Sequence, residues 1–298
     1  MDTVLTVIGD PASSTVDAAL AEAAGAALAE AGARVGAADW LDPGTACDLA
    51  FGGLAPEAAE AAVRTRLGAA PIDLAAQPLA GRRKGLLVAD MESTIIGQEM
   101  IDELAEAVGL RAQVAEITAR TMAGELEFPA ALKERVALLE GLPAATLDAL
   151  GARMTLNPGA RTLVRTLRAA GVYTALVSGG FLCFAGPVAR ACGFDETRAN
   201  RLAVKDGRLA GSVEEPILGR DAKRQALTEL AARRGLSLAA TCAVGDGAND
   251  LAMVQSAGLG VAYRGQPVLR RAARFRVDHG DLTALLYLQG FRRGAFHD

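Results

Sequence analysis

LLVADMEST, residues 86–94, places four apolar residues directly before two carboxylates and two hydroxyls. A continuous apolar run of this kind is typical of a strand buried on both faces of a parallel sheet. In open parallel sheets, ligands gather beyond the carboxyl ends of the strands. A surface turn would explain one acid at this point, but the pair Asp90 and Glu92 with two hydroxyls favours a functional site.

Further apolar runs alternate with helical patterns on the C-terminal side of this segment. They lie at residues 172–178, 241–246, 259–263 and 274–278. We therefore predict an α/β fold with a doubly wound parallel sheet. Residues 101–150 carry helical spacing without strand signals and predict a helical cap inserted between the first two core strands. Residues 202–213, which surround Asp206-Gly207, predict a hairpin that forms a surface flap.

The N-terminal residues predict a separate small domain. Their pattern reads β-α-β-β-α-β over about 78 residues, which is the split βαβ, ferredoxin-like arrangement of α+β domains. By element order alone it resembles the ACT domain, which senses small molecules. A packing or dimerisation domain explains the pattern equally well, and a homodimer could form through it. We place this domain at residues 1–80 and the second domain at 85–298, joined by a polar linker rich in Pro and Gly.

The charge and composition of the chain argue against nucleic acid and membrane as partners. The 298 residues suit two domains, and the net charge of −4, from 31 basic and 35 acidic residues, gives no electrostatic footprint for nucleic acid. Every long Ala-rich run is broken by a charged residue or glycine before it reaches membrane-spanning length. The four cysteines form no CxxC pair, which is typical of a reducing compartment. We expect a cytoplasmic protein that binds neither nucleic acid nor membrane.

Three further groups of residues have side chains or backbone N–H groups that suit the binding of a phosphate. Residues 178–180, Ser-Gly-Gly, end the second core strand and offer a hydroxyl and backbone N–H groups to an anion. Residues 245–250, GDGAND, end the third, and Lys223 precedes them on a predicted helix. Each group alone is more often a turn or a solvated charge. Together with Asp90 they supply a nucleophile, anion donors and, with Asp246, oxygen ligands for Mg²⁺.

The ordered set DMEST (90–94), VSGGF (177–181), Lys223 and GDGAND (245–250) resembles the haloacid dehalogenase superfamily, in particular its phosphoserine phosphatases, over residues 86–290. The resemblance implies that Asp90 attacks phosphorus to form an aspartyl-phosphate and that Glu92 is the acid/base residue. It implies Mg²⁺ ligands from Asp90, the Glu92 carbonyl and Asp246, with Asp250 supporting Lys223 or the metal shell. It also implies that the phosphoryl group contacts Ser178, Gly179, Gly180, Lys223 and Asn249.

The predicted cap carries residues that suit an amino-acid substrate. By the same resemblance, Glu99 meets an ammonium group, Arg135 pairs with a carboxylate, and Met122 and Phe128 line the pocket. As isolated features, Glu99 and Arg135 could equally be solvated helix charges. The small-molecule substrate implied is phosphoserine, hydrolysed to serine in the last step of serine biosynthesis.

One position departs from the family's pattern. The second acid is usually aspartate, whereas Glu92 is one methylene longer, and a misplacement of about 1 Å can cost on the order of 10²-fold in rate. We still expect an active enzyme. Two alternatives stay open: another small-molecule phosphatase or phosphotransferase with the same motifs, and a catalytically weak amino-acid sensor in which Glu92 marks lost chemistry.

Overall fold

The structure, a computed structural model, describes residues 1–13, 15–122, 125–219 and 221–298, apart from the side chain of Met122. The strands are β1 (Thr3–Gly9), β2 (Arg34–Asp42), β3 (Ala46–Gly52), β4 (Ile72–Pro78), β5 (Leu86–Ala89), β6 (Tyr173–Phe181), β7 (Glu196–Asn200), β8 (Leu202–Lys205), β9 (Arg208–Val213), β10 (Thr241–Gly245), β11 (Leu259–Tyr263) and β12 (Phe275–Val277). The helices are α1 (Ala18–Glu30), α2 (Pro56–Leu67), α3 (Met100–Ala107), α4 (Arg111–Met122), α5 (Phe128–Ala137), α6 (Ala145–Gly151), α7 (Ala160–Ala169), α8 (Leu182–Cys192), α9 (Ala222–Arg233), α10 (Leu251–Ser256), α11 (Pro267–Ala272) and α12 (Ala284–Leu288).

The N-terminal sheet is antiparallel, with strand order β2-β3-β1-β4. Helix α1 begins where the side chain of Asp17 accepts a hydrogen bond from Leu20 N at 2.8 Å, and α2 begins at Pro56, a residue whose fixed φ suits the first helical turn. Both helices bury small apolar residues against the sheet in one cluster. The predicted ferredoxin-like α+β arrangement is confirmed, whereas the boundaries 1–80 and 85–298 stay predictions.

The second sheet has six strands in the order β12-β11-β10-β5-β6-β7, and every neighbouring pair is parallel. Successive residues of β5 contribute to different apolar clusters: Leu87 and Ala89 pack on one face, Leu86 and Val88 on the other. Helices cover both faces, which confirms the doubly wound core. The strand β7 was not predicted from the sequence, because its residues Glu-Thr-Arg-Ala-Asn are polar and lie at the sheet edge.

Helices α3 to α6 form the cap between β5 and β6, as predicted. The hairpin of β8 and β9 turns at Asp206 and Gly207, whose φ angles of 50° and 72° suit a tight hairpin turn. The hairpin is present as predicted, and residues 204–208 around its turn are exposed. The hairpin is fixed to the cap, because Leu209 exchanges backbone hydrogen bonds with residues 141 and 142.

The two sheets meet at a polar junction beside α12. The linker residue Arg82 pairs with Asp48 of β3 at 2.6 Å and donates to the carbonyl of Tyr287 at 3.0 Å. The Tyr287 hydroxyl in turn donates to Asp42 of β2 at 2.6 Å. The N-terminal sheet is therefore held to the second sheet by buried, charge-assisted contacts. Within the described ranges, no helix is both long enough and apolar enough to cross a membrane.

Candidate active site

The carboxyl end of β5 places Asp90 at the centre of the site. Its side chain is buried, with 4% exposure, and Asp90 N donates to Val244 O of the neighbouring strand at 3.0 Å. One carboxylate oxygen accepts from Met91 N at 2.7 Å, and the other lies 2.6 Å from the Lys223 ammonium. Burial, followed by the charge of Asp250, raises the pKa of Asp90 well above its ordinary value, and Lys223 opposes that rise.

Lys223 joins two carboxylates. It lies in the first turn of α9, 4% exposed, and its ammonium contacts Asp90 Oδ2 and Asp250 Oδ1 at 2.6 and 2.7 Å. Burial lowers the pKa of Lys223, but the two carboxylates outweigh burial and raise it above its ordinary value. The other oxygen of Asp250 accepts from the backbone N–H groups of residues 246 and 247 at 3.1 Å. Lys223 is therefore charged and fixed beside Asp90.

Three carboxylates surround the single ammonium group of Lys223 in the site. Carboxylate oxygens of Asp90, Asp246 and Asp250 lie within 4.8 Å of one another, and all three residues are buried. Burial and then Asp250 raise the pKa of Asp246 to about 6. The pKa values of Asp90 and Asp246 are raised because the site buries more negative charge than Lys223 neutralises. An all-oxygen donor set with excess negative charge fits a hard divalent cation.

Glu92 lies on the turn after Asp90, under the cap. Its Oε1 accepts from Met100 N, the first residue of α3, at 2.8 Å. Its Oε2 lies beside Gly180, where a Cβ atom would come within 2.7 Å of it. Burial and then the charge of Glu99 raise the pKa of Glu92 to about 7. A carboxyl group poised near neutral pH can both donate and accept a proton.

The Ser-Gly-Gly segment lies where β6 leaves its regular pairing with β7. The buried Ser178 accepts from Gly180 N at 2.9 Å through its hydroxyl oxygen. Asn200, a buried residue of β7, donates to Gly179 O at 2.8 Å. These bonds fix the segment beside Asp90, where the Ser178 hydroxyl and the Gly179 N–H group can face an anion.

A cavity of about 520 Å³ opens above Asp90 between the core and the cap. Phe128, Glu99 and Arg135 line its cap side, and Gly179, Gly180, Asp246 and Asn249 line its core side. Ser178 and Lys223 line an adjoining cavity that shares Phe128 and Gly179 with the first one. Met122 was predicted to line the substrate pocket, but its side chain is outside the described part of the structure.

The cap side of the cavity carries opposite charges. The Glu99 Oε1 atom accepts from the Ser93 hydroxyl at 2.6 Å, and burial raises the pKa of Glu99. Glu99 lines the cavity. Arg135 is half-buried, and burial lowers the pKa of its guanidinium. Within the part of the chain that the structure describes, Arg135 contacts the Ala131 carbonyl but makes no ion pair. Its charge is therefore available to a ligand.

Several residues that shape the site were not predicted. Ser93 holds Glu99 from a left-handed φ of 52°, which is uncommon for a residue other than glycine. Thr94 donates to Asp246 at 3.2 Å, and Asn157 donates to the Thr94 carbonyl at 2.7 Å. Thr118 lines the cavity, and its buried hydroxyl has no hydrogen-bond partner among the described residues. The hydroxyls after Asp90 were visible in the sequence, but nothing there indicated Asn157 or Thr118.

Residues 87–255 match the family described as haloacid dehalogenase-like hydrolase, and the chain belongs to that family. It is 40% identical over 294 residues to a phosphoserine phosphatase of Streptomyces coelicolor, covering 97% of this chain and 71% of that relative.

Two solved structures extend the comparison. An HAD family hydrolase from Salmonella enterica serovar Typhi superimposes with a TM-score of 0.84 at 29% identity, covering 96% of this chain and 98% of that one. A phosphoserine phosphatase solved as a phospho-aspartyl intermediate analogue gives a TM-score of 0.64 at 38% identity, covering 69% of this chain and 98% of that one.

Proposed function

We propose that this protein hydrolyses phosphoserine to serine and phosphate, with Asp90 as the nucleophile. The observation that carries the proposal is one cavity with Asp90 at its base and the opposed charges of Glu99 and Arg135 on its cap side. The phosphoserine phosphatases among its relatives support the same substrate.

The cap charges select the substrate. Phosphoserine carries an ammonium and a carboxylate on one carbon, and each needs a partner of opposite charge when water is excluded. Glu99, held by the Ser93 hydroxyl, would accept from the ammonium. Arg135, whose guanidinium makes no ion pair among the described residues, would bind the carboxylate with two parallel hydrogen bonds. Phe128 would pack against the substrate's short apolar stem.

The acidic cluster suits Mg²⁺. Asp90 and Asp246, with the Glu92 carbonyl, would hold the ion, and the bound ion would supply positive charge that keeps Asp90 ionised and stabilises charge on the phosphoryl oxygens. Asp250 would stay with Lys223, which it contacts at 2.7 Å.

In the first step, a carboxylate oxygen of Asp90 attacks phosphorus and the bond from phosphorus to the serine oxygen breaks. Glu92, whose pKa lies at about 7, donates its proton to the departing oxygen. Lys223, the Ser178 hydroxyl and the Gly179 N–H group would stabilise the transferring group, with Gly180 and Asn249 at the cavity wall. Serine leaves, and Asp90 carries the phosphoryl group.

In the second step, water attacks phosphorus of the aspartyl-phosphate. Glu92 is now a carboxylate and takes a proton from that water, so each turnover returns it to its starting state. The bond from phosphorus to the Asp90 oxygen breaks, and inorganic phosphate leaves. Cap closure over the cavity would exclude other water during the first step.

Three substrates that differ by one charged group test this proposal. Phosphoethanolamine lacks the carboxylate of phosphoserine, and 3-phosphoglycerate lacks its ammonium. We expect kcat/KM to fall for both with the wild-type protein, and Arg135→Gln to lower it for phosphoserine but not for phosphoethanolamine. Glu99→Gln should lower kcat/KM for phosphoserine but not for 3-phosphoglycerate. Equal rates on all three substrates would discard the substrate assignment and leave only the phosphatase chemistry.

The biological setting is also proposed. Release of free serine suits the last step of serine biosynthesis. Buried free thiols at Cys47, Cys192 and Cys242 support a reducing compartment such as the cytoplasm. A homodimer through the N-terminal domain is supported by β2, a partly exposed strand at the sheet edge, and light scattering during size-exclusion chromatography tests it.

A further inference from the structure

A second polar cavity, of about 200 Å³, lies at the junction of the two sheets. The N-terminal side supplies Arg64 of α2 and residues 72–74 of β4. The other side supplies residues of α11, β12 and the loop that follows β12. None of its lining residues also lines the cavity above Asp90, so the two are separate sites.

Basic groups outnumber acidic ones around this cavity. Its charged or titratable lining residues are Arg64, Arg270, Arg276, His279, Asp73 and Asp278. With His279 neutral, three guanidinium groups face two carboxylates. An anion would therefore be attracted even before individual contacts are considered.

Both carboxylates are already engaged within the protein. Asp73, which is 5% exposed, accepts from the backbone N–H groups of residues 278, 279 and 280 at 2.8, 3.2 and 2.8 Å. Asp278 pairs with Arg270 at 2.8 Å. Neither acid neutralises the remaining two arginines.

Those two arginines come from opposite sides of the junction. Arg64 donates to the neutral Ile72 carbonyl at 2.9 Å, and Arg276 is exposed. Neither has an acidic partner among the residues that the structure describes. Guanidinium groups match the oxygen pairs of phosphate and carboxylate and can bind them with two parallel hydrogen bonds.

We propose that this junction cavity binds a small oxyanion, a phosphate or a dicarboxylate, between Arg64 and Arg276. Its volume admits an anion of that size and is too small for a nucleotide. The bound anion would neutralise one guanidinium from each side and so draw α2 and β12 together.

A series of hydrogen bonds connects this cavity to the catalytic site. The loop that Asp73 holds continues to Leu282, whose N–H donates to the Pro158 carbonyl at 3.1 Å. The adjacent Asn157 binds the Thr94 carbonyl, and Thr94 binds Asp246. An anion at the junction would therefore act on the acidic cluster through this loop, which makes the cavity a regulatory site.

Isothermal titration of the full chain with malonate, and separately with inorganic phosphate, tests the binding. The variant is Arg64→Gln with Arg276→Gln. The matched control is Arg66→Gln with Arg271→Gln, which removes the same number of charges. Arg66 lies on α2 with Arg64, and Arg271 lies on α11, just before β12, but neither lines the cavity. Phosphate that binds at the catalytic site is common to all three proteins and cancels from the comparison.

We expect the Arg64/Arg276 variant to bind at least one of the two anions roughly tenfold more weakly than the wild type and the control. The anion whose affinity changes identifies the ligand class. Arg276→Gln alone removes no hydrogen bond or ion pair within the described residues, and an unchanged melting temperature would show that weaker binding by it does not come from loss of folding. Equal affinity of both double variants, or no binding by the wild type at millimolar anion, would overturn the proposal. Malonate should also change the rate of phosphoserine hydrolysis only where Arg64 and Arg276 are intact, and an unchanged rate would overturn the regulatory role.

Discussion

Replacing Gly180 with alanine should slow turnover because the new methyl group would meet the Glu92 carboxylate. The added Cβ would lie 2.7 Å from Glu92 Oε2, well inside van der Waals contact. Gly180 does not have a left-handed φ, so alanine is compatible with its backbone, and its N–H group is retained. The change therefore tests side-chain space alone.

The magnitude follows from overpacking and from the bond that Glu92 makes. Extra methyl groups in a packed site cost about 1–3 kcal/mol, which corresponds to roughly 5–150-fold in rate if the cost falls on the reactive conformation. A displaced Glu92 would also lose its 2.8 Å bond to Met100 N, which ties it to the first cap helix. We expect kcat on phosphoserine to fall by about 10–100-fold.

A compensating change makes this prediction specific. Glu92→Asp shortens the acid by one methylene and withdraws it from the space that the new methyl group occupies. The assay is steady-state phosphate release by the wild type, each single variant and the double variant. We expect the second substitution to restore a large part of the rate lost in Gly180→Ala. If Gly180→Ala is as harmful with Asp at position 92 as with Glu, Glu92 is not what requires glycine there, and this reasoning is refuted.

Four further predictions concern charge, pH, support and metal. Lys223→Met should unfold more easily by about 3–5 kcal/mol, since Asp90 and Asp250 lose their cation. Because the folded-state pKa of Asp90 is raised, its protonation at low pH relieves part of this loss. Denaturant titration should therefore show a smaller loss at pH 5 than at pH 8, and an equal loss at both pH values would contradict the prediction. The rate of phosphoenzyme formation should decline as pH rises above about 7, because Glu92 must be protonated to act as an acid. A bound cation would lower the pKa of Glu92 and move this decline to lower pH. Rapid-quench rates that do not change across that range would exclude Glu92 as the acid. Asn157→Ala should lower kcat by about 10-fold with little change in the melting temperature, because it supports the loop after Asp90; a large thermal shift would make its role structural. Chelation by EDTA should abolish phosphate release and Mg²⁺ should restore it, whereas full activity in EDTA would exclude the metal role of the acidic cluster.

The sequence predicted the parts of the fold that depend on local pattern. β5, β6, β10 and β11 are apolar runs long enough to identify as buried strands, and parallel strands bring their carboxyl ends to one edge. That rule is why Asp90 and Asp246 could be expected together although 155 residues separate them. The resemblance to a known family added the cap residues Glu99 and Arg135, which pattern alone left as solvated charges.

Long-range polar contacts could not be predicted in this way. Asp73 holds a loop more than 200 residues away through backbone N–H groups, which leave no trace in residue type. The edge strand β7 lacks the apolar alternation that identifies a strand. The hairpin around Asp206 showed its turn but not its partner, because hydrogen bonds to the cap at residues 141 and 142 use main-chain atoms.

The role of Asp90 as the nucleophile in phosphoserine hydrolysis is tested by phosphate release in Mg²⁺, compared between the wild type and Asp90→Asn. The amide is nearly isosteric with the carboxylate but is a poor nucleophile, and a matched melting temperature would show that the variant is folded. We expect Mg²⁺-dependent release by the wild type, and a rate lower by several orders of magnitude in the variant. Release at a similar rate by Asp90→Asn, or none by the folded wild type, would contradict this expectation.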